Sequence, residues 1–282
     1  MKTPLVSIVC LCYNHEQFVA EAIQSVKDQT YPNIQLIIVD DHSADRSAEI
    51  IKKSISLDVS TEFLELSANV GNCRAFNCGL EKAEGDFVID LSADDVLFPE
   101  RVAMGMAVFQ SMDESVGVNF ADAQLIDDAG KSIGYHSDRF PHGEVPQGNI
   151  YKEVLSKYFI NGPTMMIRMA VLKKLGGYDP TLAYEDFDFW VRSSREYKYC
   201  YTPEPLVKRR IVRGSLGQQQ YLRGSAQLNS TLAVCKKAFS LNRSKEEHQA
   251  LRKRILFEMR QAIGLGEVEI ALGYWKLWRQ IP

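Results

Sequence analysis

Apolar and polar residues alternate along the first third of the chain in blocks that predict strand, helix, strand, helix. Leu5 to Cys12 is an almost unbroken apolar run of strand length, Phe18, Ala22, Ile23 and Val26 recur at helical spacing, and Ile34 to Val39 is a second apolar run. Apolar strands separated by amphipathic helices imply a parallel sheet covered on both faces. Ser43 is placed to cap a second helix carrying Ala48, Ile51 and Ile55, Thr61 to Leu66 supplies a third strand, and Ala75, Leu80 and Ala83 mark a third helix. In Asp86-Phe87-Val88-Ile89-Asp90-Leu91-Ser92-Ala93-Asp94-Asp95 a buried strand then ends in two adjacent carboxylates, and Pro99 opens the next helix at its first position. Polar residues thus stand at three strand ends: Asn14, Asp40-Asp41 and Asp94-Asp95. Parallel strands share one direction, so these ends lie along one edge of the sheet, where open α/β sheets bind ligands.

After the helix at Val102 to Phe109 the rhythm changes. Val116 to Ile126 gives one or two strands, Asp127-Asp128-Ala129-Gly130 a tight turn back towards Lys131 to Tyr135, and Pro141, Gly143, Pro146 and Gly148 a loop. Met165 to Ile167 is a short strand, and a helix carrying Val171, Leu172 and Leu175 is stopped by Gly176-Gly177. On a helix starting near Glu185, Asp186 shares a face with Phe189 and Trp190, while Asp188 faces Arg192 at i, i+4 and is expected to form a surface pair. A carboxylate beside aromatic rings is partly desolvated, which raises its pKa and makes it a better base near neutrality. Lys208 to Ser215 is locally basic. The remainder is helical, with a stripe of Leu251, Ile255, Met259 and Ala262, with Arg252, Lys253, Arg254 and Arg260 off it, and with a tail, Tyr274 to Arg279, that mixes aromatics and cations.

Composition narrows the class. At 282 residues and 45% hydrophobic the chain can bury a core of one large or two small domains, and a net charge of −3 gives no reason to expect nucleic acid. Six cysteines without a C-x-x-C pair favour reduced thiols and a cytoplasm-like compartment, and no apolar run approaches the length of a membrane span. Asp94 and Asp95 repel each other unless a cation or hydrogen-bond donors meet them; a divalent metal answers that, and a pair of turn and cap aspartates is the alternative. The first strand-to-helix turn, Cys12 to Glu16, has no glycine, which argues against a dinucleotide fold, and there is no P-loop. A diphosphate bound here needs another neutraliser, which a metal on Asp95 supplies.

Val6-Ser7-Ile8-Val9 with Tyr13-Asn14, Asp40-Asp41-x-Ser43-x-Asp45, Asn69-x-Gly71 with Asn77-x-Gly79, Gly85-Asp86-Phe87, and Asp94-Asp95 before Pro99 resemble, in order, the N-terminal half of family 2 glycosyltransferases. The resemblance implies an α/β protein of GT-A fold that transfers a sugar, with inversion, from a nucleotide-diphosphate sugar of UDP or dTDP type to a hydroxyl acceptor. It implies that Tyr13, Asn14 and Glu16 border the base and ribose and that Asp41 accepts from the base ring N–H. Asp94 would hold the ribose hydroxyls, Asp95 Mn2+ or Mg2+, and Arg74 and Asn77 would complete the donor set. It makes Asp186 the base, with Glu185 orienting the acceptor, and it places a basic residue among Arg209, Arg210 and Arg213 at the leaving group. Two departures stand out: Ser92 replaces the first Asp of the family's D-x-D, and Phe76 replaces the Arg usual before Asn77.

Residues 1–100 are then the nucleotide-sugar half, 101–215 the acceptor half and 216–282 a helical extension. The acceptor is expected to be a glycan or glycolipid of cell-surface polysaccharide assembly. The enzyme would be cytoplasmic; its C-terminal helices either pack back on the catalytic domain, the reading the stripe favours, or make weak peripheral contact at the inner face of the membrane. A nucleotidyltransferase, or an inactive nucleotide-binding or scaffold subunit, which Ser92 keeps open, are the rivals.

Overall fold

The computed structural model describes residues 3–56, 60–140, 145–212 and 216–282. Strands β1 (Val6–Cys12), β2 (Ile34–Asp40), β3 (Glu62–Glu65) and β4 (Phe87–Ser92) are mutually parallel and alternate with helices α1 (Val19–Lys27), α2 (Ser47–Ser54) and α3 (Asn72–Leu80). Alternate residues of β1 enter different cores: Val9 and Leu11 pack towards α3 and the C-terminal helices, Ile8 and Cys10 towards α1 and α2. That two-sided burial is why the strand is apolar at nearly every position.

Beyond β4 follow β5 (Val96–Leu97), α4 (Arg101–Ser111), β6 (Val116–Ile126), β7 (Ser132–Tyr135), α5 (Tyr151–Ser156), β8 (Met166–Arg168), α6 (Met169–Leu175), α7 (Asp186–Ser194) and β9 (Lys198–Arg210). The chain ends in α8 (Leu216–Gln219), α9 (Ala226–Leu241), α10 (Lys245–Gly264) and α11 (Val268–Gln280). A single sheet runs β3-β2-β1-β4-β8-β6-β9-β5, with β7 paired to β6. Its second half is mixed, because β8 inserts antiparallel between β4 and β6 while β6 and β9 are parallel.

Several local expectations need correction. Ser43 caps no helix: α2 starts at Ser47, and Ser43 instead donates to Asp40 at 2.5 Å. Pro99 lies two residues ahead of α4 rather than at its first position. Asp188 is not on the surface but 1% exposed, where Arg192 and Lys237 both bond it. Arg254 is likewise buried, because α10 is covered by α5 as well as by α11. The tail helix packs through Tyr274, Leu277 and Ile281; Trp278 is half-buried under the Arg252 guanidinium, and Trp275 remains exposed. No helix among the described residues is long and apolar enough to cross a membrane, and all six cysteines are unpaired.

Gly85 stands where the chain enters β4 against β1. A Cβ there would lie 2.6 Å from the Ser7 backbone nitrogen and 2.8 Å from the Phe87 carbonyl oxygen, and neither can yield like a side-chain tip. Gly85→Ala is therefore expected to destabilise by about 1–3 kcal/mol, as overpacking does, which thermal denaturation would read as a Tm fall of roughly 2–10 °C. Gly264→Ala, whose Cβ enters open space near the end of α10, is the control and should not lower Tm. Equal Tm values for the two variants would show that this close approach is not a constraint.

Candidate active site

The carboxyl ends of β1, β2 and β4 form one edge, and short polar side chains lace its loops together. Asn14, held in the left-handed region at φ 57°, accepts the Ala44 amide at 2.8 Å through its side chain, and Glu16 accepts the Arg46 amide at 3.0 Å. The Asp41 carboxylate accepts from the Val70 amide at 2.7 Å and the Gly71 amide at 2.9 Å, pinning the loop that leads into α3. The Asn14 and Asp41 oxygens each keep a second lone pair for a ligand, whereas the same Glu16 oxygen also accepts the Arg46 Nε at 3.2 Å. Tyr13 presents an exposed ring beside them.

Asp94 and Asp95 differ in setting. One Asp94 oxygen meets the Ser92 hydroxyl and the other lies 4.0 Å from His15 Nε2. Asp95 is buried under the end of β9 and accepts the Arg210 amide at 2.8 Å. Burial, then the Asp94 charge, pushes its pKa well above the usual carboxylate range, against the pull of that amide and of Arg209 and Arg210. No group of three His, Cys, Asp or Glu among the described residues could hold a metal by itself. The donor set is all oxygen and at most two carboxylates, which suits a hard cation that takes its other ligands from phosphate and water.

Next to this edge lies a cavity of about 640 Å³ lined by Leu11 and Ser92 on the strand side and by Tyr184, Glu185, Asp186 and Trp190 around the start of α7. Asp90, on β4, also lines it. Burial and the neighbouring Glu185 charge push Asp186 up to about 8, and Arg209 pulls the other way. Glu185 is raised by burial and partly relieved by the Asn72 amide, which donates to it. Asp90 is raised well above its ordinary value, by burial first and then by Glu185, with the Tyr178 hydroxyl lowering it. Three acids thus share one desolvated wall. Asp90 carried no assigned role in the sequence; its signal was a carboxylate inside an apolar strand run.

Helix α3 serves as the template for the turn before α7. Arg74 donates to the Pro180 carbonyl at 3.1 Å, and the Asn77 amide group both donates to the Tyr178 carbonyl at 2.8 Å and accepts its N–H at 2.9 Å. Neither Arg74 nor Asn77 lines the cavity. Phe76 is buried and stacks on Tyr178 at 4.1 Å between centroids, a place with no access to a diphosphate. Among the basic residues, Arg210 is used up internally, donating to the Asp94, Asp127 and Asp128 carbonyls and to Glu21. Arg209 lines the cavity and has no hydrogen-bond or ion-pair partner among the described residues, while Arg213 lies outside them.

Comparison with known proteins identifies the family and the fold. An uncharacterized glycosyltransferase of Rickettsia prowazekii is 29% identical over 218 residues, which are 74% of this chain and 64% of that protein. S. aureus TarS 1-349 in complex with UDP-GlcNAc superposes with a TM-score of 0.74 at 17% identity, covering 99% of this chain and 82% of that one. The mannosyltransferase PcManGT of Pyrobaculum calidifontis, solved with GDP-Man and Mn2+, gives 0.67 at 16%, covering 99% and 83%. Identities this low establish a shared fold, the GT-A fold. The description of Glycosyl transferase family 2 matches residues 7–176, more than half of the sequence. The chain belongs to glycosyl transferase family 2.

Proposed function

We propose that this protein transfers a sugar from a nucleotide-diphosphate sugar, of UDP or dTDP type, to a hydroxyl acceptor with inversion at the anomeric carbon. The observation that carries this is Asp186, a carboxylate of raised pKa on the wall of a cavity that Leu11 and Ser92 line beside the strand edge. Residues 1–100 supply that edge and one side of the cavity, 101–215 the base and much of the remaining wall, and 216–282 add Tyr221, Arg254 and Phe257 to it. Tyr13, Asn14, Glu16 and Asp41 border the base and ribose, and Asp94 the ribose hydroxyls. Asp186 takes the acceptor proton as the acceptor oxygen bonds to the anomeric carbon and the bond to the diphosphate breaks. Glu185, fixed by Asn72, orients the acceptor, and Arg209 faces the charge left on the diphosphate. Mn2+ or Mg2+ on Asp95 would supply further neutralisation of that charge. A glycan or glycolipid of polysaccharide assembly fits the open, aromatic-lined cavity.

Asp186→Asn keeps size and hydrogen bonding but removes the proton acceptor, so donor binding should survive while kcat falls by roughly 10²–10⁴-fold. In the unmodified protein the ionised form is the base, so kcat/KM should climb with pH and level off above about 8. A flat profile between these limits, or near-normal turnover of the variant, would place the base elsewhere.

Asp95→Asn tests the metal. Calorimetry with UDP and Mn2+ should show that the metal no longer strengthens nucleotide binding, with Tm little changed. Undiminished metal dependence in the variant would remove Asp95 from the site.

The C-terminal helices supply the membrane contact. Val268, Leu272 and Trp275 are exposed at i, i+4 and i+7 on α11, with Lys276 and Arg279 exposed beside them. Cations near an anionic surface contribute about 1 kcal/mol each. The protein should co-sediment with anionic vesicles, less so as salt rises, and Leu272→Ala with Trp275→Ala should weaken it. Indifference to anionic vesicles at low salt would make this face an ordinary surface.

A further inference from the structure

We infer that the acceptor carries an anionic group, a phosphate or a carboxylate, near its reactive hydroxyl, and that Arg254 on α10 reads it. The inference rests on the sugar transfer proposed above for the identity of the ligand, but its observations are separate. Arg254 is 4% exposed and lines the cavity. Its Nε donates to the Leu155 carbonyl at 3.3 Å and its Nη1 to Glu258 at 3.3 Å, while the Tyr158 ring covers one face at 3.8 Å. Nη2 has no hydrogen-bond partner among the described residues. Buried guanidinium donors are normally paired, so an arginine that lines a cavity with one buried nitrogen lacking a partner among the described residues is suited to an oxyanion.

The surroundings favour the same ligand. Arg139 and Lys157 line this cavity too, and neither has a carboxylate partner among the described residues. Glu258 does not compete for the ligand's place: it is wholly buried and already takes Nη1 and the Tyr221 hydroxyl. Phe257 lies next to Tyr221 at 6.0 Å between centroids, lines the cavity and is exposed, which offers a ring face to a sugar. Arg254 sits among Leu155, Tyr158 and Phe187, on the α5 and α7 side of the cavity rather than at the strand edge. The diphosphate has its own cation in Arg209, which has no ion-pair partner among the described residues, so the anion that Arg254 meets is assigned to the acceptor.

The test is calorimetric titration of the full chain, saturated with UDP and Mn2+, with glucose, glucuronate and glucose 1-phosphate as probes. The anionic sugars should bind at least about tenfold more tightly than glucose, as one added charge-assisted bond to a buried donor gives, and the two anions tell carboxylate from phosphate. Arg254→Gln with Glu258→Gln, which leaves no lone buried charge, should erase the preference while UDP affinity stays the same. Should that variant fail to fold, Arg139→Ala with Lys157→Ala, both at exposed positions, should still cut the preference severalfold. Equal affinity for glucose and the anionic sugars, or displacement of those sugars by UDP, would overturn the inference. Binding of anionic sugars without any binding of UDP would instead overturn the proposed transfer and leave the anion site standing.

Discussion

The charge on Asp188 has to be met inside the protein, and the position of α7 depends on how that is done. Arg192 donates its Nε to Asp188 at 2.6 Å and its other nitrogens to the Leu175 and Gly177 carbonyls at 3.0 Å. Lys237, from α9, reaches Asp188 at 2.7 Å and Asp179 at 2.5 Å. One buried carboxylate therefore ties α7 to the end of α6, to the turn before it and to the C-terminal extension. Such a pair is weak evidence for stability, but losing one partner would strand the other charge, so the arrangement permits one placement of the helix. Glu185 and Asp186, at the start of that helix, inherit the placement.

What the site gains in reactivity it takes from stability. Asp90, Glu185 and Asp186 all have pKa values raised by burial, so the folded state binds their protons more tightly than the unfolded chain does. Between the ordinary carboxylate range and the raised values, stability must then fall as pH rises, the reverse of the usual carboxylate effect. The favourable terms lie outside the trio: the paired Asn77 and Tyr178, the Phe76 stack, and the Lys237 network hold the wall together while its acids stay strained.

The first half of the fold was legible because its strands are apolar on both faces and end in polar residues, a signal that needs no knowledge of distant partners. The errors share a cause. Asp188 and Arg192 look like a solvent-side pair because helical spacing shows only i, i+4 neighbours, and Lys237 lies 49 positions away. Arg254 looks exposed because periodicity treats α10 as covered on one side, whereas α5 covers a second. Arg74 and Asn77 were legible as a pair on one helix, but not that they would grip the 178–180 turn. The antiparallel insertion of β8 leaves no mark in a three-residue strand.

The two arginines at the end of β9 show why the mixed half of the sheet matters to the acidic edge. After β4 the chain crosses the top of the sheet to form β5, which pairs with β9 at Val207 and Lys208. Asp94 and Asp95 lie on that crossing, and the Arg210 amide bonds Asp95 at its far side. Side chains of adjacent strand residues point to opposite faces. Arg210 therefore turns beneath the crossing, packs its guanidinium 4.5 Å from the Phe18 ring and holds the Asp94 carbonyl, while Arg209 turns to the cavity. A single strand end thus provides the cation that fixes the acidic loop and a second cation, on the cavity wall, without an ion-pair partner among the described residues. Exchanging their roles would require a one-residue slip of β9, which the regular parallel pairing of Val207 to Arg210 with Ala123 to Ile126, beyond the bulges earlier in the two strands, opposes.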